Sequence, residues 1–113
     1  MKEMTVYVEA ASLLIDIEAE LRRLNVWQSE APSAEALAST EPFCIDTLSF
    51  VQWLQFIFLP RMHTLVQAER LPAGRCEIQP LAEQYFADQH LPVTQLIGYI
   101  GRLDALLNSR NGC

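Results

Sequence analysis

Lysine is almost missing from this chain. Lys2 is the only one in 113 residues, and seven arginines bring the bases to eight against fourteen acids. Nucleic-acid binding rests on Lys and Arg neutralising phosphates, so with no basic stripe the direct binding of RNA or DNA is disfavoured. Charge of either sign is thin, at 19% of residues with half the chain apolar, a balance that speaks against disorder. Long apolar runs are missing too. The longest charge-free stretch, residues 47–60, has fourteen positions, short of the about 20 needed to span a bilayer. It also carries Thr47, Ser49, Gln52 and Gln55. Nothing at the N-terminus resembles a signal peptide, since Met1-Lys2-Glu3 leads into Glu9 and an amphipathic pattern, and the expected compartment is the cytoplasm.

Cysteine and histidine are equally sparse. Cys44, Cys76 and Cys113 are odd in number, widely spaced and free of any C-x-x-C pair, which predicts reduced thiols rather than a disulfide framework. Cys44 is expected as a small buried thiol beside Phe43, the other reading being a thiol activated at a helix N-terminus. His63 and His90 stand 27 residues apart with no Cys or carboxylate at ligand spacing, so neither a metal site nor a cofactor is expected. They also support no Ser–His or Cys–His arrangement. No catalytic constellation emerges.

What is present is helical periodicity. Tyr7, Ala10, Leu14, Ile17, Leu21 and Leu24 follow three- and four-residue steps, predicting a helix from about Thr5 to Leu24. Thr5 is its expected N-cap, and Glu9, Asp16, Glu20 and Arg23 fall on the solvent side. Residues 25–45 form a long connection in which Ser33 caps a short turn through Leu37, with Trp27, Leu37 and Phe43 holding it to the core. Asp46 or Thr47 opens a second long helix reaching about Glu69, either kinked at Pro60 or divided there into two abutting helices, and stopped by Leu71-Pro72-Ala73-Gly74. A short third helix runs from Pro80 or Leu81 to Asp88. The last starts with Pro92 at its first position, carries the stripe Val93, Leu96, Ile97, Ile100, Leu103 and Leu107, and ends before Gly112. No strand-like alternation and no repeat is present. The chain reads as one all-α domain over residues 1–113, a compact antiparallel four-helix bundle with a long structured first connection.

The stretch Pro42–Met62 is the most informative. At 100° per residue Phe50, Trp53, Leu54 and Ile57 share a core arc, whereas Phe56 and Leu59 fall on the opposite arc with Ser49, Gln52 and Gln55. A helix apolar on most sides is either a buried axis or a surface for a partner. Arg61 projects toward the core, where an unpaired guanidinium is prohibitively costly. It must pair with Asp46 or Glu83, line a cleft, or be turned outward at Pro60. Trp53, Phe56, Leu59, Arg61 and Glu83 are therefore the candidate partner or ligand surface. On the last helix Gly98 and Gly101 either mark the close approach of another segment, a self-association face being one option, or are simply tolerated near a C-terminal helix, and Tyr99 and Leu106 suggest a second contact surface. Gly101-Arg102-Leu103-Asp104 looks like the Arg-Leu-Asp element around the catalytic aspartate of pseudouridine synthases. Here it runs on into Ala105-Leu106-Leu107-Asn108 as helix, without the sheet domain that presents that aspartate.

Leu24-x-x-Trp27, Pro42-Phe43-Cys44-x-Asp46-Thr47-Leu48 and Trp53-Leu54-Gln55-Phe56-Ile57-Phe58-Leu59-Pro60-Arg61-Met62 resemble the YqcC-like family of small bacterial proteins. The resemblance continues through Leu71-Pro72, Pro80-Leu81-Ala82-Glu83 and the final helix. It implies a small all-helical cytoplasmic bundle of no established activity. Genes of the family often neighbour that of a tRNA pseudouridine synthase. The expectation is a non-enzymatic accessory or adaptor protein that binds a protein partner, that synthase being the candidate. The alternative is a small-ligand or enzymatic bundle with a pocket at the Pro60 kink.

Overall fold

Helical periodicity translates directly into buried stripes. The computed structural model describes residues 2–72 and 75–111, with side chains for residues 5–72 and 75–108. Helix α1 spans Lys2–Arg23 and buries Ala10, Leu14, Ile17, Leu21 and, just beyond its end, Leu24. Thr5 thus lies inside the helix instead of capping it. Asn25 takes a left-handed conformation (φ 61°), and the Val26 N–H reaches back to the Leu21 carbonyl at 3.1 Å, closing the helix end in a Schellman-type turn. Glu20, expected on the solvent face, is buried. Its carboxylate accepts from Arg23 Nη2 at 2.7 Å, and the same guanidinium donates to the Pro92 carbonyl at 3.2 Å. That clasp ties the end of α1 to the segment before the last helix.

The connection is structured, as its composition requires. Ser33 accepts from the Ala36 N–H at 3.1 Å and caps the single turn α2, Ala34–Leu37. Trp27 and Leu37 are half-buried against the core, and Arg22 stacks 4.4 Å over the Trp27 ring.

Helix α3 covers residues 50–67 and begins later than Asp46 or Thr47. Ser49 accepts from the Gln52 N–H while the Gln52 side chain accepts from the Ser49 N–H, a capping box that satisfies two orphan donors. Residues 42–48 instead form a 3₁₀ turn, Pro42–Cys44, followed by a hydrogen-bonded turn at 45–47 and a bend at Leu48. The expected kink at Pro60 is replaced by a π-helical turn at Leu54–Phe58, in which the Leu59 N–H reaches the Leu54 carbonyl. The wider turn makes room ahead of the proline ring, which in regular helix would clash with the preceding turn.

The extra residue also rotates everything after it by about 100°. Ile57 becomes half-buried, Phe58, Leu59 and Met62 enter the core, and Arg61 turns out to solvent. Gln55, expected on the outer arc, is buried. Its amide receives the Gln28 N–H at 2.9 Å and donates to the Gln28 carbonyl at 2.8 Å. Gln55→Leu would leave both Gln28 groups unpaired, with an expected loss of about 1–3 kcal/mol measurable by urea unfolding.

Glu69 (φ 55°) ends α3 through an Arg70 N–H to Leu65 carbonyl bond of 2.8 Å. Ala73 and Gly74, expected to stop it, lie outside the described residues, as do Gly112 and Cys113. Helix α4, Ile78–Phe86, starts two residues before the Pro80 boundary and ends two before Asp88, and α5, Thr94–Asn111, leaves Pro92 and Val93 outside the helix, so Pro92 is not its first residue. Helix α1 packs on α5 and α3, and α4 closes the ring by touching both of those. Leu96, Ile100, Leu103 and Leu107 of α5 and Ile78, Ala82 and Phe86 of α4 belong to one core. Each such large apolar side chain contributes about 1.5–3 kcal/mol. Among the described residues there is no strand, and no helix is long and apolar enough to cross a membrane.

Candidate functional site

Three places in the bundle hold more than core packing demands. The first is an apolar groove of about 320 Å³ between the 42–48 turn, the start of α3, and α4. Phe43, Ile45, Leu48, Phe50, Leu81 and Tyr85 supply its apolar walls, with Ser49 and Gln84 as polar members. Its outer wall is held in an uncommon backbone state. Phe43 and Cys44 are both left-handed, at φ 57° and 49°, a conformation rare for bulky residues that costs on the order of 1–3 kcal/mol each.

Surrounding contacts hold the turn in place. The Phe43 ring stands edge-on to Trp53 at 4.8 Å between centroids, and the Leu48 N–H reaches the Cys44 carbonyl at 2.8 Å. Thr47 donates its hydroxyl to the Ala36 carbonyl at 2.7 Å, and the Ser39 hydroxyl donates to Asp46. Cys44 points inward and is buried, as expected. It sits six residues ahead of α3 and not at a helix N-terminus. The consequence is that Ile45 projects into solvent at 67% exposure and Phe43 stays 38% exposed. Two large apolar side chains are thus presented by a turn that hydrophobic collapse alone would tuck away.

The second place is a clamp between α5 and the start of α4. Asp104 Oδ2 accepts from the Ile78 N–H at 2.8 Å and the Gln79 N–H at 2.7 Å. One turn on, the Asn108 amide pairs with both backbone groups of Cys76, at 2.8 and 2.7 Å. Glu77, the residue before α4, makes no side-chain cap of its own, so the helix N-terminus is capped from across the bundle. Burial pushes the Asp104 carboxyl above the usual carboxylate range against the pull of the Gln79 and Ile78 N–H groups, and Glu77 adds to the rise. The Cys76 thiol is likewise raised, first by burial and then by Asp104. Asp104 Oδ1 is buried with no hydrogen-bond partner among the described residues.

Gly101 belongs to this clamp. A Cβ there would lie 2.7 Å from the Gln79 side chain, whereas at Gly98 it would meet nothing within 4 Å. The expected close approach therefore exists at one glycine only, and the approaching group is a side chain. The Arg-Leu-Asp run of Arg102–Asp104 has a structural use, since its aspartate is spent on capping α4.

The third is a shallow groove between α1 and α5, where Leu106 lies near Val8 and Leu13 with Glu9 and Arg102 at its edges. Val8 and Ile15 of α1 are each 63% exposed.

Against this map the residues singled out from sequence separate. Trp53 and Leu59 are core, at 8% and 2% exposure, and Phe56 is half-buried, so no exposed patch of Phe56 with Leu59 forms. Arg61 and Glu83 are both exposed and make no ion pair with each other or with Asp46. The described grooves include neither of them, nor Pro60. Phe43 and Ile45 are not among the site residues expected from sequence, and no local signal marks the left-handed backbone at Phe43 and Cys44. Among the described residues no three His, Cys, Asp or Glu side chains gather as metal ligands.

A family model described as tRNA pseudouridine synthase C matches residues 9–106. The chain belongs to that family. An uncharacterised protein of Haemophilus influenzae is 35% identical over 100 residues, covering 88% of this chain and 92% of the relative. The uncharacterised protein YqcC of Escherichia coli is 31% identical over 103 residues, covering 91% and 94%. The solution NMR structure of E. coli YqcC has the same fold, with a TM-score of 0.79 at 32% identity over 91% of this chain and 88% of that one. A protein of Pectobacterium carotovorum named tRNA pseudouridine synthase C is 52% identical over 56 residues. That match takes 50% of this chain and only 15% of the Pectobacterium protein.

Proposed function

We propose that this chain is a non-enzymatic accessory domain that docks on a protein partner through the Phe43–Ile45 groove, and that the partner is a tRNA pseudouridine synthase. One observation carries the choice of partner. In the Pectobacterium relative a segment closely similar to half of this chain is 15% of a polypeptide that bears the synthase name. Segments joined in one polypeptide in one species commonly act together as separate chains in another. The structure supports a docking role by presenting Ile45 and Phe43 on a braced turn beside an apolar groove. It supports a non-enzymatic one by spending Asp104 on the α4 cap.

The test is a direct titration of this chain with the synthase of the same species by calorimetry. Ile45→Asp is expected to weaken the complex at least tenfold, about 1.4 kcal/mol, with an unchanged melting midpoint because the side chain is exposed. Phe56→Asp and Arg61→Ala report on the other face of α3 and are expected to bind as wild type. No complex, or a complex indifferent to Ile45→Asp, overturns the proposal. Loss of binding in the other two variants moves the site to the α3 face.

A further inference from the structure

The groove's occupant can be specified further from the distribution of charge around it. Both walls come from segments that contain no Lys or Arg at all, residues 24–60 and residues 76–101. The same two segments carry Glu30, Glu35, Glu41, Asp46, Glu77, Glu83 and Asp88. All seven carboxylates are exposed, and among the described residues only Glu77 has a basic partner, Arg75 at 3.4 Å. Glu41 and Asp46 lie in the same turn as Phe43 and Ile45. Glu83 precedes the groove residue Gln84 on α4, and Asp88 follows the end of that helix. The nearest base along α3, Arg61, lies about 16 Å beyond Phe50 along the axis. An apolar slot is thus flanked by segments of one sign, and four carboxylates close to its lining residues in sequence, Glu41, Asp46, Glu83 and Asp88, have no basic partner among the described residues. Such a field attracts a cation-bearing partner and repels an acidic one. A second copy of this chain would bring the same acidic walls and is disfavoured for that reason.

We infer that the groove takes a basic amphipathic segment of the partner protein, seating one or two Leu, Ile or Phe side chains between Ile45 and Tyr85 while flanking Lys or Arg side chains meet the carboxylates of the two walls. This inference rests on the docking role of the groove proposed above and specifies the chemistry that fills it. An apolar anchor provides specificity of register, and the flanking charges speed encounter and exclude acidic competitors.

The experiment uses the intact chain and three synthetic helical peptides. One has Lys/Arg on its polar face and Leu/Phe on the other, the second has Glu in place of Lys/Arg, and the third has Ser in place of Leu/Phe. Binding is followed by fluorescence anisotropy, and the site by amide chemical shifts. The first peptide is expected to bind with shifts concentrated at residues 43–50 and 81–85. Its affinity should fall about tenfold as salt rises from about 0.1 M to about 1 M and the screening length drops from about 10 Å to about 3 Å.

The Glu and Ser peptides are expected to bind at least tenfold more weakly. The double variant Glu41→Lys/Asp88→Lys, which alters two exposed carboxylates with no ion pair, should lose affinity severalfold at an unchanged melting midpoint. Equal binding of the Glu peptide, salt-independent binding, or shifts mapping elsewhere overturns the inference. If the basic peptide binds as expected while the synthase does not, the partner's identity fails and the groove's chemistry stands. If the synthase binds through Ile45 without salt dependence, the docking reading stands and this inference fails.

Discussion

Replacing Trp53 by alanine is expected to destabilise the protein by about 3–5 kcal/mol, the usual range for a buried indole, out of a total stability that for a domain of this kind is about 5–15 kcal/mol. The ring is 8% exposed. It packs against Phe58 at 5.3 Å, Phe43 at 4.8 Å and Phe50 at 6.2 Å between centroids, so truncation opens a cavity that several rigid rings cannot close. The damage would reach the groove as well. Phe43 holds its left-handed backbone against Trp53, and without that contact the strained turn has less reason to persist. Trp53→Phe keeps a ring beside Phe43 and should cost less. Chemical denaturation gives the free energies. The fluorescence of Trp53→Phe, where half-buried Trp27 is the remaining indole, identifies the blue-shifted buried component. Full stability in Trp53→Ala would contradict the packing described.

Asp104→Ala is expected to cost about 2–4 kcal/mol. Two N–H groups at the start of α4 lose their acceptor at once, one of them buried, at about 1.5–3 kcal/mol for each bond to a charged acceptor, a loss partly offset because the unfavourable burial of the carboxylate is also removed. No local side chain stands by to replace it, since Glu77 makes no cap. The loss should be concentrated at the α4 end, visible as faster hydrogen exchange at Ile78 and Gln79. Asp104→Asn retains an acceptor oxygen and should cost less.

The two variants also differ in pH dependence. Burial raises the Asp104 carboxyl in the folded state, so its contribution to folding is fullest below the ordinary carboxylate pKa of about 3.9 and is lost as pH rises through the elevated folded value. Wild type should therefore lose stability relative to Asp104→Asn as pH rises across that window. Urea midpoints of the two proteins, measured from about pH 3.5 to neutrality, check the sign.

The long helices were legible because burial on one face leaves a periodic trace. Ala10, Leu14, Ile17 and Leu21 on α1, and Leu96, Ile100, Leu103 and Leu107 on α5, are fully or almost fully buried, and their spacing alone predicts it. The start of α3 was also written in the chain, since Ser49-x-x-Gln52 is a capping-box pattern that outweighs Asp46 and Thr47 as a boundary signal. The π turn was not written there. Pro60 announces that regular helix cannot continue unchanged, but a kink, a break and a wider turn all relieve it. Only the packing of Phe58, Leu59 and Met62 selects the last, and that choice sends Arg61 to solvent.

By itself, the sequence determined the all-helical class, the stripes that α1 and α5 bury, the Ser33 cap and the acidic, lysine-poor surface. Each depends on residue type and on spacing within one element. Tertiary structure decided the rest. The α4 N-terminus is set by Asp104, 26 positions away, Gln55 is buried because Gln28 meets it, and Phe43 and Ile45 are held outward by contacts from Trp53, Ala36 and Ser39. These features depend on groups distant in sequence that become neighbours only when the bundle closes, so no local pattern could carry them.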